Sequence, residues 1–130
     1  AFYAELTVAE NLALFADLMR GGRLSLDWSS PADLPRREVK LAFLLVMCLE
    51  TAMALGGKIS VSVVDGRWHV TGRAPRLRID PDLWEVLSNP AARHEVTPAQ
   101  VHFALIPEEI ARLGRQLVVE IREEELRLSF

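Results

Sequence analysis

The stretch that decides the fold begins Leu34-Pro35-Arg36-Arg37-Glu38-Val39-Lys40 and continues Leu41-Ala42-Phe43-Leu44-Leu45-Val46-Met47-Cys48-Leu49. After Glu50-Thr51-Ala52-Met53-Ala54-Leu55 it meets Gly56-Gly57, then Lys58-Ile59-Ser60-Val61-Ser62-Val63-Val64. Pro35 suits the first turn of a helix, where its missing N–H costs nothing. Glu38 then lies near the positive helix N-terminus. Ser29-Ser30-Pro31-Ala32-Asp33 ahead of it is turn-forming, and Asp33 or one of the serines is the expected cap. Every residue from Leu41 to Leu49 is apolar, so this helix must be buried on most sides. The paired glycines end it, and the Lys58 to Val64 run alternates with period two, as a half-buried strand does.

Working outward, the segment before this unit predicts a helix from Thr7. Glu10 completes a capping box, and Val8, Leu12, Phe15, Leu18 and Met19 share one face with Leu14 at its edge. Gly21-Gly22 stops it, and Arg23 to Trp28 alternates as a strand. Beyond Val64, Asp65-Gly66 is a strong hairpin signal leading into Arg67-Trp68-His69-Val70-Thr71-Gly72. Ala74-Pro75 breaks that strand. Asp80-Pro81-Asp82 opens a short helix that buries Leu83, Trp84 and Leu87 and ends at Ser88-Asn89-Pro90. Thr97-Pro98 opens the last helix, whose apolar face reads Val101, Leu105, Ile110 and Leu113. Pro107 is expected to kink or split that helix before Gly114 ends it. Gln116 to Ile121 and Glu125 to Phe130 form a closing hairpin over a charged turn, Glu123-Glu124-Glu125. These elements do not alternate as βαβ units. The expected fold is a single α/β (α+β) domain over residues 1–130, a two-layer sandwich. Its sheet is mixed, with about five strands, and its helices lie on one face.

Composition narrows the function classes. The chain has 130 residues, half of them hydrophobic and a quarter charged, an ordinary globular profile. A formal net charge of −3 gives no electrostatic case for nucleic acid. The apolar run in the central helix is shorter than the ~20 residues that span a bilayer, and no cleavable leader is recognisable. Cys48 is the lone cysteine and lies within that apolar run, so it reads as an inert core thiol. A cytoplasmic location is the expectation. The chain opens at Ala1 without Met, and it is expected to be part of a longer protein.

The order helix, strand, helix, Gly-Gly, hairpin resembles the ATP-binding domain of sensor histidine kinases, the Bergerat fold. Gly56-Gly57-Lys58-Ile59 stands where those kinases carry a glycine-glycine-basic-isoleucine strand start. More closely, the chain resembles the C-terminal domain of bacterial ChpT-type histidine phosphotransferases. The supporting residues are Gly21-Gly22-Arg23-Leu24-Ser25-Leu26-Asp27-Trp28, Leu34-Pro35, Lys40-Leu41 and Glu50 to Gly57. Gly72-Arg73-Ala74-Pro75-Arg76-Leu77, Thr97-Pro98-Ala99-Gln100-Val101 and the closing hairpin add to them. The resemblance covers Thr7 to Phe130.

The kinases hold Mg²⁺ and the phosphates with an asparagine-bearing helix and read adenine with a D-x-G-x-G loop. Here the central helix has no asparagine; Asn11 and Asn89 lie elsewhere. Val70-Thr71-Gly72-Arg73-Ala74 has no such aspartate, and no G-x-G occurs in the chain. No nucleotide, metal or other cofactor is therefore expected. In the resembled family a histidine on an N-terminal helical hairpin, in a His-Asp motif, carries the phosphate, and the hairpin forms the dimer. No His-Asp pair exists here, so no catalytic residue is assigned.

The resemblance implies a phosphorelay domain that supports the phosphoacceptor bundle and docks response-regulator receiver domains. Homodimerisation would run through the N-terminal helices. The rival readings are a stand-alone interaction module and a divergent ATP-binding kinase domain. The docking candidates are Arg67, Arg73, Arg76 and Arg78 with Trp84, the one concentrated basic stretch, where a kinase carries its ATP lid. Of the histidines, His69 reads as a strand-surface residue and His102 lies beside Phe103. His94, in a polar linker, is a minor candidate phosphoacceptor. Glu50 reads as solvent-facing or in a local ion pair, with the remnant of an ATPase base as the alternative, and Glu108-Glu109 after Pro107 reads as a helix N-terminus feature. No Cys/His cluster has metal-ligand spacing.

Overall fold

The computed structural model describes residues 24–29, 34–89 and 95–130. The helix expected from Thr7, the cap candidates Ser30 and Asp33, and His94 lie outside them. Five strands form one sheet: β1 (Leu24–Ser29), β2 (Gly57–Val64), β3 (Arg67–Arg73), β4 (Val118–Ile121) and β5 (Glu125–Ser129). Their order is β1-β2-β3-β5-β4. β1 runs parallel to β2, and every other pair is antiparallel, which makes the sheet mixed as expected. The described helices are α1 (Arg36–Ala52), α2 (Pro81–Ser88) and α3 (Val101–Leu113).

α1 forms the spine. Pro35 occupies its N-cap place with no side-chain cap, and Glu38 lies in its first turn. Its buried residues run from Val39 and Leu41 through Leu49 to Ala52, with Met47 only half-buried. α3 covers one side of the helix and the sheet covers another. That is why the apolar run carries no polar face until Glu50, which is exposed. Cys48 is fully buried, and desolvation pushes its thiol well above its ordinary value.

The turn into β2 depends on two glycines with positive φ, 109° at Gly56 and 148° at Gly57. A Cβ on Gly57 would collide with the Arg73 carbonyl oxygen and sit 2.5 Å from the Met53 methyl carbon. Backbone crossing is thus close where α1 hands over to β2. Asp65 and Gly66 both have positive φ, 51° and 77°, as a two-residue type I′ hairpin turn requires.

The strands bury one face. Ile59 and Val61, Trp68 and Val70, and Leu126 and Leu128 point to the helices. Rings chain through this layer: Trp28 stacks on Phe43 at 4.8 Å and meets Trp68 edge-on at 5.9 Å, and Trp68 stacks on Phe130 at 5.8 Å.

α3 departs from expectation in three ways. Thr97 and Pro98 open a short 3-10 turn, Pro98–Gln100, and the Gln100 side chain accepts the Thr97 N–H at 3.2 Å. The helix then runs unbroken through Pro107. Its buried face is His102, Phe103, Ile106 and Glu109, while Val101 and Leu105 are exposed. Glu109 is not at a helix start. It lies mid-helix and bridges to Lys40 of α1 at 3.4 Å and to Arg112 at 3.3 Å. Burial of Phe103 and Ile106 against the neighbouring helices offsets the backbone bond that Pro107 removes.

Candidate functional site

β2, β3 and β5 alternate, so the face turned away from the helices is polar by construction. The register sets its residues in rows. Lys58 opposes Arg73, which opposes Glu125; Ser60 opposes Thr71, which opposes Arg127; Ser62 opposes His69, which opposes Ser129. Most of these residues line an open cavity of about 480 Å³, with Glu120 of β4 at its far side.

Glu125 organises this face. It is not part of the solvated hairpin tip, where only Glu123 and Glu124 remain exposed with Arg122. It opens β5, and its Oε1 takes Nε of Arg73 at 3.0 Å and Nε of Arg127 at 3.3 Å. The Arg73 hydrogen bond, with help from Arg127, holds its carboxyl below the ordinary range.

A second polar cluster locks the sheet to α1. Glu38 Oε1 accepts from Trp68 Nε1 at 2.9 Å and from Arg115 Nη2 at 3.1 Å. Arg115 Nη1 also donates to the Gly66 carbonyl at 2.9 Å, and the guanidinium stands 5.8 Å from the Phe130 ring centre. Helix start, hairpin turn and C-terminal residue are thereby tied together.

The expected docking group is dispersed. Arg67 and Arg73 are at opposite ends of β3, about 20 Å apart at the strand rise. Arg67 donates to Ser129 Oγ at 3.2 Å. Arg76 and Arg78 are exposed in the loop after β3, and the Arg78 N–H anchors that loop to the Ala52 carbonyl at the end of α1. Trp84 is not available to a partner: it is 3% exposed and meets Phe103 edge-on at 5.4 Å. Its apolar neighbours Leu83 and Leu87 are buried too, so α2 is clamped onto α3. Asp80 caps this helix, accepting the N–H groups of Asp82 and Leu83.

His69 is half-buried on the polar face. His102 is buried, its Nε2 has no hydrogen-bond partner, and desolvation lowers its pKa from 6.5. Among the described residues no group of His, Cys, Asp or Glu could hold a metal ion. No described helix is long and apolar enough to cross a membrane. Sequence reasoning missed Lys58 and Arg127 as neighbours of Arg73. Alternation marked their face, but only the β3–β5 register puts them together.

The fold is shared with solved structures. A bacterial phosphotransferase superposes with a TM-score of 0.79 at 20% identity; the match covers 95% of this chain and 63% of that one. The catalytic domain of histidine kinase ThkA matches with a TM-score of 0.63 at 18% identity, over 95% of this chain and 86% of that domain. The Acinetobacter baumannii histidine kinase AdeS matches with a TM-score of 0.62 at 16% identity, covering 94% of this chain and 60% of that one. This chain thus spans less than two thirds of the phosphotransferase that it resembles. No curated protein matches it. The model of the family described as histidine phosphotransferase C-terminal domain matches residues 8–125, and the chain belongs to that family.

Proposed function

We propose that this domain works in a two-component phosphorelay without binding nucleotide, as the scaffold of a histidine phosphotransferase. It supports a phosphoacceptor bundle outside this chain and helps to dock receiver domains through the exposed arginines Arg67, Arg73, Arg76 and Arg78. The phosphoryl group passes from a receiver aspartate to a bundle histidine and on to a second receiver. The Nδ1 or Nε2 lone pair of that histidine attacks phosphorus, the P–O bond to aspartate breaks, and the carboxylate leaves.

One observation carries the nucleotide-free reading. The described part of the segment after β3, residues 74–89, stands where the resembled kinases carry their nucleotide lid and is folded down here. α2 buries Leu83, Trp84 and Leu87 against α3. A lid needs a mobile, polar inner surface to close over phosphates, and this one has spent its apolar residues on the core. α1 offers no asparagine, and no G-x-G loop exists to cradle phosphates.

The test uses the complete gene product, a phosphorylated receiver domain and radiolabelled phosphate, with and without ATP. Acid-labile label moving from the receiver, with none taken directly from ATP, is the expected result. Direct labelling from ATP would make the protein a divergent kinase. No label by either route would leave an interaction module.

A further inference from the structure

The polar sheet face holds three cationic head groups that folding leaves partly uncommitted. Arg73 and Arg127 stand on adjacent strands and both spend Nε on the same Glu125 oxygen. Their Nη groups have no bond among the described residues. Lys58 is the direct register neighbour of Arg73 across the β2–β3 pair, is exposed, and has no partner among the described residues. All three line the same open cavity, whose floor between them carries the Ser60 and Thr71 hydroxyls.

Glu125 fixes the guanidinium planes rather than cancelling them. Its side chain is 14% exposed, so it works from below while the arginines, 70% and 50% exposed, reach upward. Three cations against the two carboxylates of the lining, Glu125 and Glu120, leave a surplus of one positive charge. Glu120, the register partner of Arg127 on β4, lines the far side and also lies 3.7 Å from the exposed Arg122. Asp27 of β1 stands beside Ser60 in the register but outside the cavity lining.

We propose that this cavity binds a small dianion of the phosphate type. Guanidinium Nη groups match phosphate oxygens as paired donors, Lys58 adds a point charge, and the hydroxyls donate to the remaining oxygens. The site shares Arg73 with the proposed docking surface but takes no part in phosphoryl transfer, so loss of anion binding in Lys58→Gln leaves the phosphorelay reading untouched.

The experiment is an amide NMR titration of the intact chain with inorganic phosphate and with phenyl phosphate, at constant ionic strength kept with sodium chloride. Saturable shifts centred on Lys58, Thr71, Arg73 and Arg127 are expected. Lys58→Gln, which breaks no ion pair, should weaken binding about three- to fivefold, and Arg73→Gln with Arg127→Gln about tenfold or more. Arg37→Gln, exposed on α1 and outside the cavity lining, should leave affinity unchanged. Linear shifts scattered over the basic surface would overturn the proposal. So would unchanged affinity in Lys58→Gln, a result that stands even if the double variant fails to fold.

Discussion

At the scale of single residues, two carboxylates do work that composition alone would assign to solvent. Glu38 looked like a favourable charge at a helix start, yet it is also the shared acceptor for Trp68 and Arg115. Glu38→Ala would strand a buried indole N–H and a half-buried guanidinium. The expected loss is about 1–3 kcal/mol, read from the midpoint of urea unfolding. Glu125 adds a pH dependence whose sign is fixed. Its folded pKa lies below the ordinary 4.5, chiefly through the Arg73 hydrogen bond, so its stabilisation is present above 4.5 and fades as pH falls through the folded value. His102 acts in the same direction. Burial lowers its folded pKa from 6.5, so the unfolded chain takes up the proton first and stability begins to fall below 6.5. Thermal melts across pH should show Glu125→Gln less stable than wild type near neutrality, with the gap closing below 4.5. A gap that stays constant would mean that the carboxylate contributes no charge-dependent stabilisation.

At the scale of elements, α3 shows what periodicity can and cannot decide. Apolar residues occur at Val101, Phe103, Leu105, Ile106, Ile110 and Leu113, which supports more than one helix face. The choice falls to partners distant in sequence. α1 supplies Lys40 for Glu109, and α2 supplies Trp84 for Phe103, so the helix turns Val101 and Leu105 outward. Phe103→Ala should therefore cost about 3–5 kcal/mol, while Leu105→Gln should change stability by less than about 0.5 kcal/mol. Chemical denaturation of the two variants checks the assignment, and equal losses would contradict it. The strands were more legible because period-two alternation is local: Lys58 to Val64, the Asp65-Gly66 turn and the closing hairpin were all readable. The candidate site was less so. Arginines close in sequence looked like one patch, but β3 separates Arg67 from Arg73 and Trp84 turns inward. The cluster that does form, Lys58 with Arg73 and Arg127, draws on three strands and needs the sheet order to be seen.

At the scale of the whole molecule, the fold matches that of the histidine kinase ThkA catalytic domain, and α2 is packed into the core through Leu83, Trp84 and Leu87. In this chain α2 closes onto α3 through Trp84 and Phe103. Were nucleotide to enter beneath α2, Leu83, Trp84 and Leu87 would have to leave the core, at an apolar burial cost of roughly 1.5–3 kcal/mol for each side chain. That cost would be charged against affinity before a single phosphate contact formed. A ligand present at 100 times its dissociation constant stabilises a protein by about 2.7 kcal/mol. In a domain of this size that would raise the melting temperature by roughly 8 °C. Millimolar Mg²⁺–ATP should instead move it by less than about 1 °C, measured by differential scanning calorimetry against Mg²⁺ alone. Trp84→Ala separates the two causes of that silence. If packing of α2 were the only barrier, loosening it would restore a nucleotide-dependent shift. If the missing asparagine and glycine loop matter equally, the variant melts lower and still ignores ATP. The second outcome is expected, because loosening α2 restores neither an asparagine on α1 nor a G-x-G loop.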